Sequence, residues 1–378
     1  MQRRHRCLAP ACSLLGALPG SAFAALAVNL PPPANDIARQ IYDLHTLILW
    51  ICLGIFIVVF VPMIWAIIRH RKSRGHSAHD FHEHPVLEVA WTIVPVLILV
   101  AMAWPATQTV LAMKDTSAAD LTIKVTGYQW KWEYEYLGDG LRYFSNLSTP
   151  PEQREGSAQK SPHYLLETDR PLVVPTGAKV RLLLTAADVI HAWWVPELGV
   201  KQDAIPGFVR DTWFRVDRPG IYRGQCAELC GTGHGYMPVV VEALPPEQYA
   251  VWRDGQRSAQ EIARQEAAAS IGKTYATGDL IALGETVYKT HCAACHGPDG
   301  KGIAGAFPPL AGSPMVQGPL GPHLARVLEG KPGTAMAAYA PILTDLELAA
   351  VVTYERNSWQ NRTGDLAQPA DVATLRRR

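Results

Sequence analysis

The sequence predicts a multi-domain membrane chain: a hairpin of two transmembrane helices, an antiparallel β-sandwich carrying a metal-ligand loop, and an all-α domain. Three observations lead there. Two apolar runs are each long enough to cross a bilayer, short β-branched runs follow between turn residues, and a Cys-x2-Cys-His motif opens a stretch of helical periodicity. The expected boundaries are 1–24 for an export signal, 35–114 for the hairpin, 119–245 for the sandwich, 246–277 for a linker, 278–365 for the helical domain and 366–378 for a tail. A length of 378 residues accommodates two or three such units.

The chain starts with a basic segment, Met1 to Arg6, then an Ala/Leu-rich stretch to Leu18, then the small residues of Ser21-Ala-Phe-Ala24, which together read as a cleavable secretory signal. The alternative is an N-terminal anchor, against which stand its short apolar stretch and the breaks at Pro10 and Pro19. Thr46 to Ile68 and Val89 to Val110 then supply the two spans, with Trp91 and Trp104 as interfacial anchors. Their connecting loop holds Arg69, Arg71, Lys72 and Arg74, and the positive-inside rule puts it in the cytoplasm, with everything after Lys114 outside. His76, His79, His82 and His84 in that loop lack any accompanying cysteine and read as an ordinary polar loop rather than a metal cluster. Glu88 differs: a carboxylate at the mouth of a membrane helix faces a protein partner or a water path, or else snorkels to the headgroups.

The formal net charge is +1 and no basic run with interleaved aromatics occurs, which sets nucleic acid aside as a partner. Of seven cysteines, Cys7 and Cys12 leave with the signal and Cys52 sits in an apolar helix. The other four belong to two motifs, so an exported chain is spending its thiols on metals rather than on disulfides.

The strand-like runs are Leu121 to Thr126, Trp130 to Tyr136, Leu172 to Val174, Val180 to Leu184, Trp213 to Val216 and Val239 to Val241, separated by turn residues as in an antiparallel sandwich or barrel. Before the last of them lies Cys226-Ala-Glu-Leu-Cys230 followed by His234 and Met237, a set of thiolates, imidazole and thioether that points to copper. A sandwich with a ligand loop between its last strands is a cupredoxin arrangement. The loop is too compact to close round a metal alone, and His191 is the candidate ligand from an earlier strand. Two thiolates, two histidines, a methionine and a main-chain carbonyl suit a pair of copper ions, whereas a closed structural zinc site has no use for Met237.

Gly127-Tyr-Gln-Trp130-Lys-Trp-Glu-Tyr, Asp188-Val-Ile-His191, Lys201-Gln-Asp203-Ala-Ile-Pro-Gly207 and Gly224 through Pro238 resemble subunit II of the haem–copper cytochrome c oxidases, over about Asn35 to Ala243. The resemblance implies a dinuclear CuA centre held by His191, Cys226, the Glu228 carbonyl, Cys230, His234 and Met237. It further implies a magnesium ion at the Glu228 side chain against subunit I, Trp130 as the point where electrons enter, and Glu88 at the mouth of a proton path. One departure is Phe208, where many relatives carry arginine; Arg210 lies two residues on.

Between 246 and 277 the chain reads as a polar helical linker, a flexible tether between two units. Cys292-Ala-Ala-Cys295-His296 then reads as a covalent c-type haem attachment, with thiol-redox and zinc readings as the alternatives. Phe307-Pro-Pro-Leu-Ala-Gly is a loop of the kind that shields a haem edge, and Asp345 to Trp359 has helical spacing. The region resembles a class I cytochrome c over Asp279 to Gln360. Met336, in the Gly-rich loop before that last helix, is the expected sixth iron ligand, with Met315 as its rival.

The expectation is subunit II of a respiratory cytochrome c oxidase of a bacterial inner membrane, with both metal domains on the outer side. A cytochrome c or another periplasmic donor, subunit I and further oxidase subunits would be its partners. The alternatives are a stand-alone membrane-anchored carrier, a copper-delivery protein and a nitrous oxide reductase-like enzyme. A full ligand set argues against delivery, and two spans with no histidine-rich catalytic domain argue against the last.

Overall fold

The computed structural model describes residues 29–76, 82–332, 334 and 336–377; the expected signal and His79 lie outside them. Helix α1 runs Asp36–Arg69 and α2 runs Pro85–Lys114, each longer at both ends than the apolar run within it. The extra turns are capped by polar groups: Asn35 accepts from the Ala38 amide at one end, and His84 starts α2 with Glu88 accepting from its amide at 2.9 Å. Apolar side chains such as Trp50, Val58 and Trp104 stand exposed all round both helices, as lipid rather than water would require. Pro62, Pro95 and Pro105 sit inside these helices.

Ten strands form the sandwich: β1 Leu121–Tyr128, β2 Lys131–Tyr136, β3 Leu141–Ser145, β4 Leu172–Pro175, β5 Lys179–Ala186, β6 His191–Val195, β7 Val200–Ala204, β8 Arg210–Arg215, β9 Gly220–Cys226 and β10 Pro238–Leu244, with a short helix α3, Pro151–Arg154, on the β3–β4 connection. One sheet has the order β3-β2-β1-β5-β8 and the other β4-β10-β9-β6-β7. The β1–β5 and β4–β10 pairs are parallel, which makes the sandwich mixed rather than purely antiparallel. Between the sheets Trp132, Trp193, Tyr134, Phe214 and Leu182 are fully buried, and Trp193 stacks on Phe214 at 6.0 Å. Each such side chain stabilises by roughly 1.5–3 kcal/mol, against about 0–1 for an exposed ion pair, so packing fixes this scaffold.

Asn35 joins the membrane hairpin to the sandwich. Its buried amide donates to the carbonyls of Leu198 and Arg215 at 3.0 and 2.9 Å while its oxygen caps α1. At the other span, the Trp213 indole donates to the Ala112 carbonyl at 3.1 Å.

The linker is a helix, α4, Pro246–Ser270, and its first half is fastened rather than free. Trp252 packs on Tyr136 and Tyr143, Tyr249 packs in turn on Trp252, and Gln260 donates to the Gly140 carbonyl at 3.1 Å. The aromatic positions at its start give it a face that the sandwich buries, which corrects the flexible-tether expectation.

The helical domain comprises α5 Thr277–His291, α6 Ala293–His296, α7 Pro314–Gln317, α8 Leu320–Glu329, α9 Asp345–Asn357 and α10 Pro369–Arg376. Thr344 and Glu347 form a reciprocal capping box at the start of α9. The segment expected as a tail is α10, which buries Val372 and Ala373 against α9 and is pinned by Arg376 to Asp345. Helices α5 and α9 cross so closely that a Cβ at Gly284 would fall on the Ala350 carbonyl oxygen. Gly284→Ala is therefore expected to cost about 1–3 kcal/mol, seen by calorimetry as a lower midpoint for the helical domain with the sandwich transition unmoved. Unchanged midpoints would count against that crossing.

Candidate metal centres

The β9–β10 ladder pairs Gln225 with Pro238, so Cys226 and Met237 face each other at its open end and the loop 227–236 closes over them. The Cys226 amide donates to the Met237 carbonyl at 3.3 Å. Strand β6 lies beside β9 with Trp193 opposite Cys226, which carries His191, at the start of β6, to the same end of the sheet. The donor atoms converge. Cys226 and Cys230 sulfurs are 3.8 Å apart, Cys230 Sγ is 3.5 Å from both His234 Nδ1 and Met237 Sδ, and His191 Nδ1 is 3.2 Å from Met237 Sδ. Cys226 Sγ also stands 3.3 Å from the Glu228 carbonyl oxygen. The ligand atoms of His191, Cys226 and Cys230 lie within 4.8 Å of one another, and the three residues are buried.

The surroundings suit a positive guest. His191 Nε2 donates to Asp188 at 2.9 Å, which leaves Nδ1 with its lone pair turned to the sulfurs. Burial opposes a charged His191 ring, but the contacts with Asp188 and Cys226 outweigh it and raise its pKa. The hydrogen bond from Cys230 pulls Cys226 well below the usual thiol range, and the same contact pushes Cys230 up. One thiolate thus forms readily, and a bound cation is what would bring the second proton off. Gly127 is required beside the ring, since a Cβ there would lie 2.8 Å from His191 Cδ2. The donor set, soft sulfur with imidazole and a carbonyl, fits copper.

Trp130 is half-buried beside this loop, its indole donating to the Cys230 carbonyl at 3.1 Å, and Gln129 donates to the same oxygen at 2.8 Å. The Glu228 side chain is exposed, as is Leu229 next to it. Phe208 is 66% exposed, and Arg210 pairs with Asp203 at 3.8 Å. Glu88 sits far along the chain from this centre, in the first turn of α2.

In the helical domain, α5 ends at His291 and hands the chain to Cys292, with Cys295 and His296 on α6. His296 Nδ1 donates to the Pro308 carbonyl at 2.9 Å, so Nε2 keeps the lone pair an iron would take. Cys292 is buried, Cys295 is half-buried, and neither is paired among the described residues. These residues fit a haem attached through two thioethers. Met336 lies on the loop between α8 and α9, its carbonyl accepting from the Lys331 amide at 2.9 Å, while Met315 on α7 is 39% exposed.

Among curated proteins, cytochrome c oxidase subunit 2 of Cereibacter sphaeroides is 40% identical over 240 residues, 60% of this chain and 79% of that protein. The chain belongs to the cytochrome c oxidase subunit II family. The family models for the periplasmic and transmembrane domains of that subunit match residues 121–244 and 24–109, and a model for subunit III of cbb3-type cytochrome c oxidase matches 279–354. A probable subunit 2 from Rickettsia bellii is 35% identical over 246 residues, 64% of this chain and 90% of that one. The crystal structure of the periplasmic domain of subunit II from Bradyrhizobium japonicum aligns at 38% identity over 38% of this chain and 98% of that chain, with a TM-score of 0.34. The subunit II family implies a copper centre, and the C-terminal match implies haem, so this is a membrane-anchored component of a haem–copper oxidase with a cytochrome c-type domain of its own.

Sequence patterns alone missed the supporting shell. Asp188 carried a hint, a carboxylate three residues before the isolated His191, but Gly127 and Gln129 have meaning only through what they touch. Asp188→Ala is expected to lower copper affinity about 10- to 100-fold, measured by competition with a chelator on the folded chain; unchanged affinity would mean that Asp188 does not orient the ligand.

Proposed function

We propose that this chain is the electron-accepting subunit of a proton-pumping cytochrome c oxidase in a bacterial inner membrane. It takes electrons from a cytochrome c or similar periplasmic donor at its C-terminal domain and delivers them through its sandwich to subunit I, where oxygen is reduced to water. One observation carries the reading. The Trp130 indole donates to the carbonyl of Cys230 on one side and stands 6.3 Å from Phe307, edge to face, on the other. A single aromatic side chain thus touches the copper loop and the loop beside the haem motif.

When bound, haem c and the dinuclear copper centre supply one-electron redox chemistry with little change of shape. His191, Cys226, the Glu228 carbonyl, Cys230, His234 and Met237 would hold the copper, Cys292 and Cys295 would bond the porphyrin, and His296 with Met336 would ligate its iron. Asp188 fixes the His191 tautomer and Pro308 fixes that of His296. Trp130 spans the gap between the two loops. The exposed Glu228 carboxylate is available to a magnesium ion against subunit I, and Glu88, at the cytoplasmic end of α2, to a proton path in the same partner.

The testing experiment is oxygen uptake by the complex that co-purifies with this chain from native membranes, driven by a reduced cytochrome or a small mediator. Cyanide-sensitive uptake that Met237→Leu abolishes is expected. A chain that isolates alone, loaded with copper and haem yet without uptake, would leave a stand-alone electron carrier instead. Cys292→Ala with Cys295→Ala is expected to remove covalently bound haem from denaturing gels while leaving the copper absorption intact; retained stain would place the attachment elsewhere.

A further inference from the structure

Strand β2 should alternate, with Trp132, Tyr134 and Tyr136 inward and Lys131, Glu133 and Glu135 outward. Yet Lys131 is only 8% exposed and Glu133 only 2%. Glu133 is engaged by Arg142 of the neighbouring strand at 2.6 Å. Among the described residues no carboxylate forms an ion pair with Lys131, although Glu133 and Asp188 act on it from farther off. Its ammonium sits 4.6 Å from the Phe144 ring centroid on β3, 5.9 Å from the Tyr339 ring centroid in the helical domain, and 3.4 Å from His291 Nδ1, the last residue of α5.

A buried ammonium is expensive unless it finds acceptors and π faces. Here both come partly from the other domain. His291 is a suitable acceptor: burial and then the Lys131 charge push its pKa down to about 4, so near neutrality its ring is uncharged and Nδ1 can accept a hydrogen bond from the lysine. The Tyr339 hydroxyl donates to the His291 carbonyl at 2.8 Å, which holds the receiving side in shape. His291 immediately precedes Cys292, and Lys131 immediately follows Trp130.

We propose that Lys131 is a positioning residue that locks the haem-bearing domain onto the copper-bearing sandwich, its ammonium bridging from β2 to His291 so that the Cys292–His296 motif is held against Trp130. The inference rests on the electron route proposed above but concerns a contact within the chain. Losing a charge-assisted hydrogen bond of this sort lowers the locked-to-unlocked ratio by about tenfold or more. Lys131→Met keeps the length of the side chain and deletes its charge, and Lys131→Arg restores a donor.

The test uses the full chain with copper and haem bound. Amide hydrogen exchange is followed over 288–296 and around Tyr339, and the rate of electron transfer from photoreduced haem to copper is read in the same samples. Lys131→Met should speed exchange at both segments and slow the transfer about tenfold, with copper and haem absorption unchanged and Lys131→Arg close to the parent. Exchange and transfer that are the same in Lys131→Met and the parent overturn the lock while leaving the route intact. Faster exchange in Lys131→Met, in a chain whose parent passes no electron from haem to copper, supports the lock and sinks the route.

Discussion

Two thiols held 3.8 Å apart inside a protein resist losing both protons, because the first thiolate raises the cost of the second, and the sandwich keeps Cys226 and Cys230 in that relation. Everything near them serves it. The β9–β10 pairing sets Cys226 opposite Met237, β6 brings His191 from a different part of the sheet, and the Cys230 carbonyl is fixed by two donors, Gln129 and Trp130. Without the inter-sheet core of Trp132, Trp193 and Phe214, those strands would have no reason to hold their register.

The same scaffold mounts two very different neighbours. Toward the membrane it grips α1 through Asn35 and α2 through Trp213, both by hydrogen bonds to main-chain carbonyls. Elsewhere it receives α4 on an aromatic face formed by Tyr136 and Tyr143, and the helical domain on the outer side of β2. A sheet with one face packed in the core and the other covered locally by a second domain departs from the alternation that a solvated strand shows.

That departure marks the limit of what the sequence could tell. The membrane spans were legible because lipid imposes a crude, long-range rule on composition, and the ligand loop was legible because few chemistries need two cysteines, a histidine and a methionine so close together. Strands β6 and β9 were not, since β9 is rich in Gly, Arg and Gln and becomes a strand only by pairing with β10 and β6. Helix α10 passed for a tail because its apolar positions, Val372, Ala373 and Leu375, are few. Lys131 looked like any outward lysine on a strand, and only the juxtaposition of two domains gives it an unusual setting.

The Asn35 amide reaches across 163 and 180 residues of sequence to the carbonyls it holds. A ribosome delivers α1 to the bilayer long before Leu198 and Arg215 have been made, so the top of the first span must wait, with its polar cap solvated, until the sandwich has folded. The anchor and the sandwich consequently mature as one high-contact-order unit across the membrane surface. Insertion of the hairpin comes early and its final seating comes late.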